Sequence, residues 1–144
     1  MSTAMRAATA DDIPGVLAFW RLSAEPTTTD SVEGVSVLLA RDPGALIVAE
    51  ANGEIVGSVV AGWDGWRGSI YRLAVASPHR RTGLGRSLLR AAEARLAALG
   101  ARRMHAIVVG TNEGAVGFWE ASDWDCQPGQ VRYTKGAGGE RSSS

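Results

Sequence analysis

An Asn-Gly pair at 52–53 sits between two runs rich in aliphatic residues, Ala45-Leu46-Ile47-Val48-Ala49-Glu50 and Glu54 to Ala61. A two-residue connection of this kind closes a hairpin whose central residues both take positive φ, which asparagine and glycine tolerate. Two neighbouring antiparallel strands follow. Asp64-Gly65 repeats the signal and Ser69 to Ala76 supplies a third strand, so the middle of the chain reads as an antiparallel meander. After Ala76 the pattern changes. Ser77 to Gly85 is a loop, and a long helix follows with Leu88, Ala92, Leu96 and Leu99 on its apolar line and Gly100 as its stop. Met104 to Val109 reads as a strand, Asn112 as the cap of a helix running to about Ala121, and Val131 to Lys135 as a last short strand.

Ahead of the meander, Met5 to Ala8 is a short strand. Thr9, Asp11 and Asp12 offer N-caps to a helix with Ile13, Val16, Leu17 and Trp20 at helical spacing; Pro14 falls in its first turn, where a missing N–H costs little. Val32, Val35, Leu38 and Leu39 mark a second helix, ended by Asp42-Pro43-Gly44. A meander that feeds a β-loop-α-β unit implies an α/β chain with a mixed sheet and helices on both faces.

The chain is 144 residues long, a size for one domain. Residues 1–135 are expected to form it, with the Gly- and Ser-rich stretch 136–144 as a flexible tail. Fifteen cations balance fifteen anions, which argues against binding nucleic acid or an acidic membrane through bulk charge. A single cysteine, Cys126, excludes an internal disulfide framework and a cysteine-rich zinc site. No apolar run reaches the ~18–20 residues that span a bilayer, and the N-terminus lacks an apolar signal segment. The expectation is a cytoplasmic domain without a metal.

The most informative stretch is Leu73-Ala74-Val75-Ala76-Ser77-Pro78-His79-Arg80-Arg81-Thr82-Gly83-Leu84-Gly85-Arg86. A buried strand runs into a glycine loop that opens a helix. The first N–H groups of a helix have no internal partner and lie at the positive end of its dipole, so an anion can rest there. Gly83 and Gly85 let the backbone approach phosphates closely, and Arg80, Arg81 and Arg86 add forked charged donors. A dinucleotide fingerprint fails because its third glycine position is Leu88 and the preceding strand belongs to a hairpin; a Walker loop fails for want of its lysine.

What remains, R-x-x-G-x-G after Leu73-Ala74-Val75, resembles the coenzyme A pyrophosphate loop of the GNAT superfamily of N-acetyltransferases. The resemblance covers nearly the whole chain. Arg6-Ala7-Ala8-Thr9 with Asp11-Asp12-Ile13, Val48-Ala49-Glu50 with Gly53-Glu54-Ile55-Val56-Gly57, and Asn112-x-x-Ala115-x-x-Phe118-Trp119 look like that family's successive elements. Gly62-Trp63-Asp64-Gly65-Trp66-Arg67-Gly68 is similar to the hairpin of one of its subgroups. The resemblance implies the GNAT fold, in which the strand at Leu73 to Val75 splays away from the strand at Ile107 to Val109. It implies acetyl-CoA as co-substrate, with the pantetheine arm paired to the backbone of Ala74 and Val75. The pyrophosphate would lie on the N–H groups from Arg81 through Thr82, Gly83, Leu84 and Gly85 to Arg86. The N–H of Leu73 would face the acetyl oxygen, and Asn112 and Trp119 would border the coenzyme.

The same resemblance exposes departures. The usual tyrosine acid is Trp119, whose indole N–H is no ordinary acid. The usual glutamate positions are Ile107 and Ser69, and the glycine-aromatic pair closing the last helix is Asp123-Trp124. His105, two residues before Ile107, and Tyr71, on the face of Ser69 and Leu73, are the substitutes expected in proton transfer, with Tyr133 a further candidate and solvent the simplest carrier. On the acceptor side, Trp20, Trp63 and the carboxylates of Glu25, Asp30 and Asp64 could attract a cationic amine. That acceptor is a small molecule or a peptide N-terminus, and no residue selects between them. A homodimer is compatible with the resemblance. Two other functions stand beside the enzyme: an acyl-CoA-binding sensor or partner module without turnover, and a nucleic-acid binder through Arg80, Arg81, Arg86, Arg90, Arg102 and Arg103. Zero net charge and the lack of an aromatic stacking array argue against the latter.

Overall fold

The computed structural model describes residues 3–108 and 113–137. They fall into two compact units, Met1–Ala106 and Ile107–Ser144. The first holds β1 (Ala4–Ala7), α1 (Ile13–Ser23), α2 (Val32–Arg41), β2 (Leu46–Ala51), β3 (Glu54–Trp63), β4 (Gly68–Val75), α3 (Leu84–Leu99) and β5 (Met104–Ala106). The five strands form one sheet in chain order, antiparallel throughout except for the parallel β4–β5 pair. Among the described residues no helix is long and apolar enough to cross a membrane.

Local chemistry explains the elements. Asn52 and Gly53 take φ of 53° and 78°, the left-handed pair that a two-residue hairpin requires. The second connection is longer than a two-residue turn: Trp63 pairs with Gly68, so Asp64 to Arg67 form a four-residue loop. The Asp64 carboxylate closes it by accepting the N–H groups of Trp66 and Arg67, both at 2.7 Å. Ser31 caps α2 by accepting the Gly34 N–H at 3.0 Å.

The sheet is covered on both sides. Ile13, Val16 and Trp20 of α1 and Val35 of α2 pack with Leu46, Val48, Val60 and Ala74. On the other face α3 buries Leu84, Leu88, Leu89, Ala92 and Leu96. It comes unusually close because two strand positions lack side chains: a Cβ on Gly57 would stand 2.8 Å from Leu88 Cδ1, and one on Gly68 would stand 2.6 Å from Leu96 Cδ1. Leu99, expected on the apolar line of α3, is 44% exposed, because it lies in the last turn before the left-handed stop at Gly100. The Ala101 and Gly100 N–H groups close that end on the carbonyls of Leu96 and Ala97.

In the second unit α4 (Glu113–Ala121) ends where Asp123 takes φ of 68° and the Trp124 N–H returns to the Trp119 carbonyl at 3.1 Å. Aspartate here fills the left-handed position that glycine usually takes. The strand expected at Val131 to Lys135 does not form. Val131 and Tyr133 are 75% and 91% exposed, so their alternation buries nothing, and residues 131–136 have no ladder partner among the described residues. The expected strand at Met104 to Val109 ends at Ala106; Val109 and Asn112 lie outside the described residues.

Candidate active site

Among the described residues β4 begins as an interior strand and ends as an edge. Its parallel ladder with β5 runs only from Gly68↔Met104 to Ile70↔Ala106. From Tyr71 to Val75 the side facing β5 has no partner among the described residues. That leaves about 16 Å of strand, at roughly 3.3 Å per residue, with backbone donors and acceptors to satisfy.

A bulge interrupts this same stretch. The β3–β4 register passes from Ser58↔Ala74 to Val60↔Tyr71, so Arg72 and Leu73 together stand opposite Val59. Arg72 takes φ of 53°, a conformation costly for a residue with a Cβ. The bulge corrects one expectation: beyond it Ala74, not Leu73, returns to the face of Ser69 and Tyr71. Neighbouring side chains hold the strained position. Ser58, fully buried, donates to the Arg72 carbonyl at 2.7 Å and accepts the Trp20 indole N–H at 2.9 Å. The Arg72 guanidinium lies 5.0 Å from the Trp20 ring centroid, donates to the Glu25 carbonyl at 2.7 Å and pairs with the Asp30 carboxylate. Asp30 also accepts from the N–H and hydroxyl of Thr27.

These contacts reassign two predicted acceptor residues. Trp20 is a core side chain, 4% exposed, that props the bulge from below. Asp30 spends its charge on Arg72. The Glu25 residue is exposed, and it is the carbonyl that joins this group. Arg72 and Ser58 are the residues that sequence reasoning missed. Ser58 left a faint trace, one hydroxyl inside the apolar run from Ile55 to Ala61; an arginine in a left-handed bulge leaves none.

Where β4 ends the glycine loop begins. A single 3-10 turn, Ser77–His79, is pinned by the Thr82 hydroxyl, which donates to the His79 carbonyl at 2.5 Å. The Arg80 Nε donates to the Val75 carbonyl at 3.1 Å and ties the loop to the open strand. Arg81 and Gly83 take φ of 63° and 87°, and Gly83 is the N-cap of α3 with no side chain to occupy the first turn. A Cβ on Gly83 would meet nothing within 4 Å, so the approach to the helix N-terminus is clear. Arg80, Arg81 and Arg86 are exposed, and no Asp or Glu occurs from Ser77 to Ala92, so the field here is positive. The Thr82 hydroxyl is taken by the loop itself, which leaves its backbone as the group able to face a phosphate.

Where β4 and β5 are still paired, Ser69 stands across from His105, with Ser69 Oγ and His105 Nε2 2.9 Å apart. Tyr71, on the same β4 face as Ser69, is 54% exposed, and its ring crosses Gly62, within 3.2 Å of where a Cβ would stand. The structure therefore brings two of the sequence-selected proton carriers, His105 and Tyr71, to neighbouring positions on one face, beside the start of the open edge. It sets Trp63 apart from them, whereas Asp64, whose carboxylate lies within electrostatic reach of His105, accepts its hydrogen bonds from its own loop. Trp63 is on the α3 face of the sheet, at the hairpin end of β3, and Asp64 serves its own loop. Its two backbone bonds, to Arg67 first and Trp66 second, hold its carboxyl below the usual carboxylate range. Trp119 belongs to the second unit, where its ring meets those of Trp124 and Phe118 edge-on at 4.8 and 5.9 Å. Cys126 is exposed and unpaired. Among the described residues no three His, Cys, Asp or Glu side chains gather as a metal site.

Comparison with known proteins gives this geometry a family. Residues 16–123 match the model of the acetyltransferase (GNAT) family. An acetyltransferase of Pectobacterium atrosepticum is 35% identical over 80% of this chain and 82% of its own. One of Sodalis glossinidius is 31% identical over 81% and 83%. Among solved structures, the aminoglycoside 6'-N-acetyltransferase of Acinetobacter haemolyticus superposes with a TM-score of 0.75 at 14% identity, over 92% of this chain and 98% of that one. AAC(6')-Iy, solved with a bisubstrate analogue that joins coenzyme A to acetylneamine, gives 0.73 at 17% identity, over 95% and 100%. The fold is thus that of the GNAT proteins, and the chain belongs to the GNAT family of acetyltransferases.

Proposed function

We propose that this chain moves the acetyl group of acetyl-CoA to an amine by direct attack. The observation that carries the reading is the open edge of β4 running straight into the uncapped N-terminus of α3. An amide-bearing arm can add along the open edge of β4 at Ala74 and Val75 as a strand would, sharing the Val75 carbonyl with Arg80 Nε. A diphosphate fits the positive first turn from Arg81 to Arg86. The Leu73 N–H, at the bulge, serves as donor to the thioester oxygen as charge develops there. The amine nitrogen forms a C–N bond to the carbonyl carbon, the C–S bond breaks, and coenzyme A leaves as thiolate. The proton lost by nitrogen goes to His105, oriented by Ser69, or to water beside it, and the thiolate takes one from solvent or the Tyr71 hydroxyl. Asn112 and Trp119 take their places beside the coenzyme from the resemblance alone.

Coenzyme A should raise the melting temperature by mass action, about 2.7 kcal/mol of stabilisation at a hundredfold excess over Kd. Gly85→Trp should abolish that rise while the melting transition persists. A Gly85→Trp protein that still responds fully to coenzyme A refutes the phosphate placement. Thiol release over a panel of amines then identifies the acceptor. Trp119 at the usual acid position favours a second reading, an acyl-CoA-binding module without turnover, which predicts the same thermal response and no thiol release with any amine.

A further inference from the structure

A second concave site lies away from the open strand, on the α3 face at the hairpin end of the sheet. Trp63, Trp66 and Arg67 of the β3–β4 connection and Leu99, Arg102 and Arg103 at the end of α3 line a cavity of about 410 Å³. That volume falls in the range that holds small organic ligands, roughly 300–1,000 Å³. Its chemistry is uneven in a useful way. Three arginines, Arg67, Arg102 and Arg103, line it and no carboxylate does. None of the three forms an ion pair among the described residues, whereas Arg6, Arg72 and Arg95 each do. The nearest acid in sequence, Asp64, directs its Oδ1 to the N–H groups of its own loop. Two of the last α3 carbonyls, those of Ala97 and Leu96, already accept the Gly100 and Ala101 N–H groups.

Beside this charge lies apolar surface that folding leaves uncovered. Trp66 is 70% exposed and Leu99 44%. The Arg67 guanidinium sits 4.2 Å from the Trp66 ring centroid, so cation and indole present themselves together. A bare inorganic anion would use the arginines and waste the indoles; a neutral aromatic would do the reverse. The ligand that satisfies both is planar at one end and anionic at the other.

We propose that this cavity binds an aromatic organic anion, a phosphate monoester or a carboxylate, whose ring stacks against Trp66 and Trp63 while Arg102 and Arg103 fork onto its charged end. Being on the α3 face, it is a site separate from the Tyr71–His105 group, and it makes no demand on the coenzyme loop. The site stands whether or not the chain turns over acetyl-CoA.

Calorimetric titration with phenyl phosphate and with benzoate tests it and separates the two anion classes. At least one of them should bind saturably with one-to-one stoichiometry, more than about tenfold tighter than inorganic phosphate or phenol. Trp66→Ala and the double variant Arg102→Ala/Arg103→Ala should each weaken that binding by about tenfold or more; all three side chains are exposed, so both variants should keep the parent's melting temperature. Arg81→Ala, in the coenzyme loop, should leave it unchanged. Binding that survives in both cavity variants, or that is lost in Arg81→Ala, overturns the assignment. So does the absence of saturable binding by either probe, including the case in which only an acidic peptide binds.

Discussion

Removing the Ser58 hydroxyl should cost far more than one small side chain suggests. In the Ser58→Ala protein a buried and a part-buried partner lose their hydroxyl at once. The Trp20 indole N–H loses the acceptor it has among the described residues, and the Arg72 carbonyl loses the hydroxyl that holds it in the bulge. Ser58 is 0% and Trp20 4% exposed, so water does not replace the indole bond without the core opening. An unsatisfied buried group costs about 1–3 kcal/mol. Two such groups, discounted for partial relaxation, give ~2–4 kcal/mol. For a unit of this size that corresponds to a fall of roughly 8–15 °C in melting temperature. The comparison is Trp20→Phe, which keeps the ring in the core and the Ser58–Arg72 bond in place, and the double variant of the two. Urea unfolding of all four proteins closes the cycle. The double variant should be about 1 kcal/mol more stable than the sum of the single losses, because the Trp20–Ser58 bond is lost only once. Ser58→Ala within ~0.5 kcal/mol of the parent, or strictly additive losses, would refute the claim that this hydroxyl braces the bulge.

Two further outcomes follow from packing and charge. Gly68→Ala puts a methyl 2.6 Å from Leu96 Cδ1, so α3 or its leucine must shift; overpacking of this kind costs about 1–3 kcal/mol, readable by urea unfolding, and an unchanged midpoint would contradict the close approach. The Arg6 guanidinium, first among its causes, holds the Asp12 carboxyl well below the usual carboxylate range. A depressed carboxylate contributes stability that is full above its unfolded value near ~4 and drains away as pH falls through the folded one. Asp12→Asn should therefore flatten the acid side of the stability profile below about pH 4, and equal acid sensitivity in parent and variant would dismiss the pair.

The sequence showed the meander and the glycine loop because both depend on local chemistry. Asn52-Gly53 needs positive φ and Gly83 a clear approach, and those demands are met by the residues themselves. The bulge was illegible for the opposite reason. Nothing in arginine favours a left-handed conformation; Arg72 adopts it because Ser58, Trp20 and Asp30, 14, 52 and 42 residues away, hold it there. The same distance effect turned Trp20 and Asp30 from expected ligand contacts into supports. The Val131 to Lys135 strand failed because alternation describes a surface ready for burial and cannot supply the neighbour that buries it. Leu99 failed by position alone, in the last turn of α3 before the left-handed stop at Gly100. Trp63 was sorted by strand parity, which needs the observed register, and Asp64 by the hydrogen bonds of its own loop.

Of the five indoles, Trp20 alone is sealed from solvent, and it sits directly beneath the strained arginine of β4. A cation poised over one ring face and a hydroxyl on its nitrogen make its excited state sensitive to both. The protein thus carries a native optical probe: its emission, shielded from acrylamide quenching more fully than that of the half-buried or exposed other four, would register any rearrangement of that strand without a label.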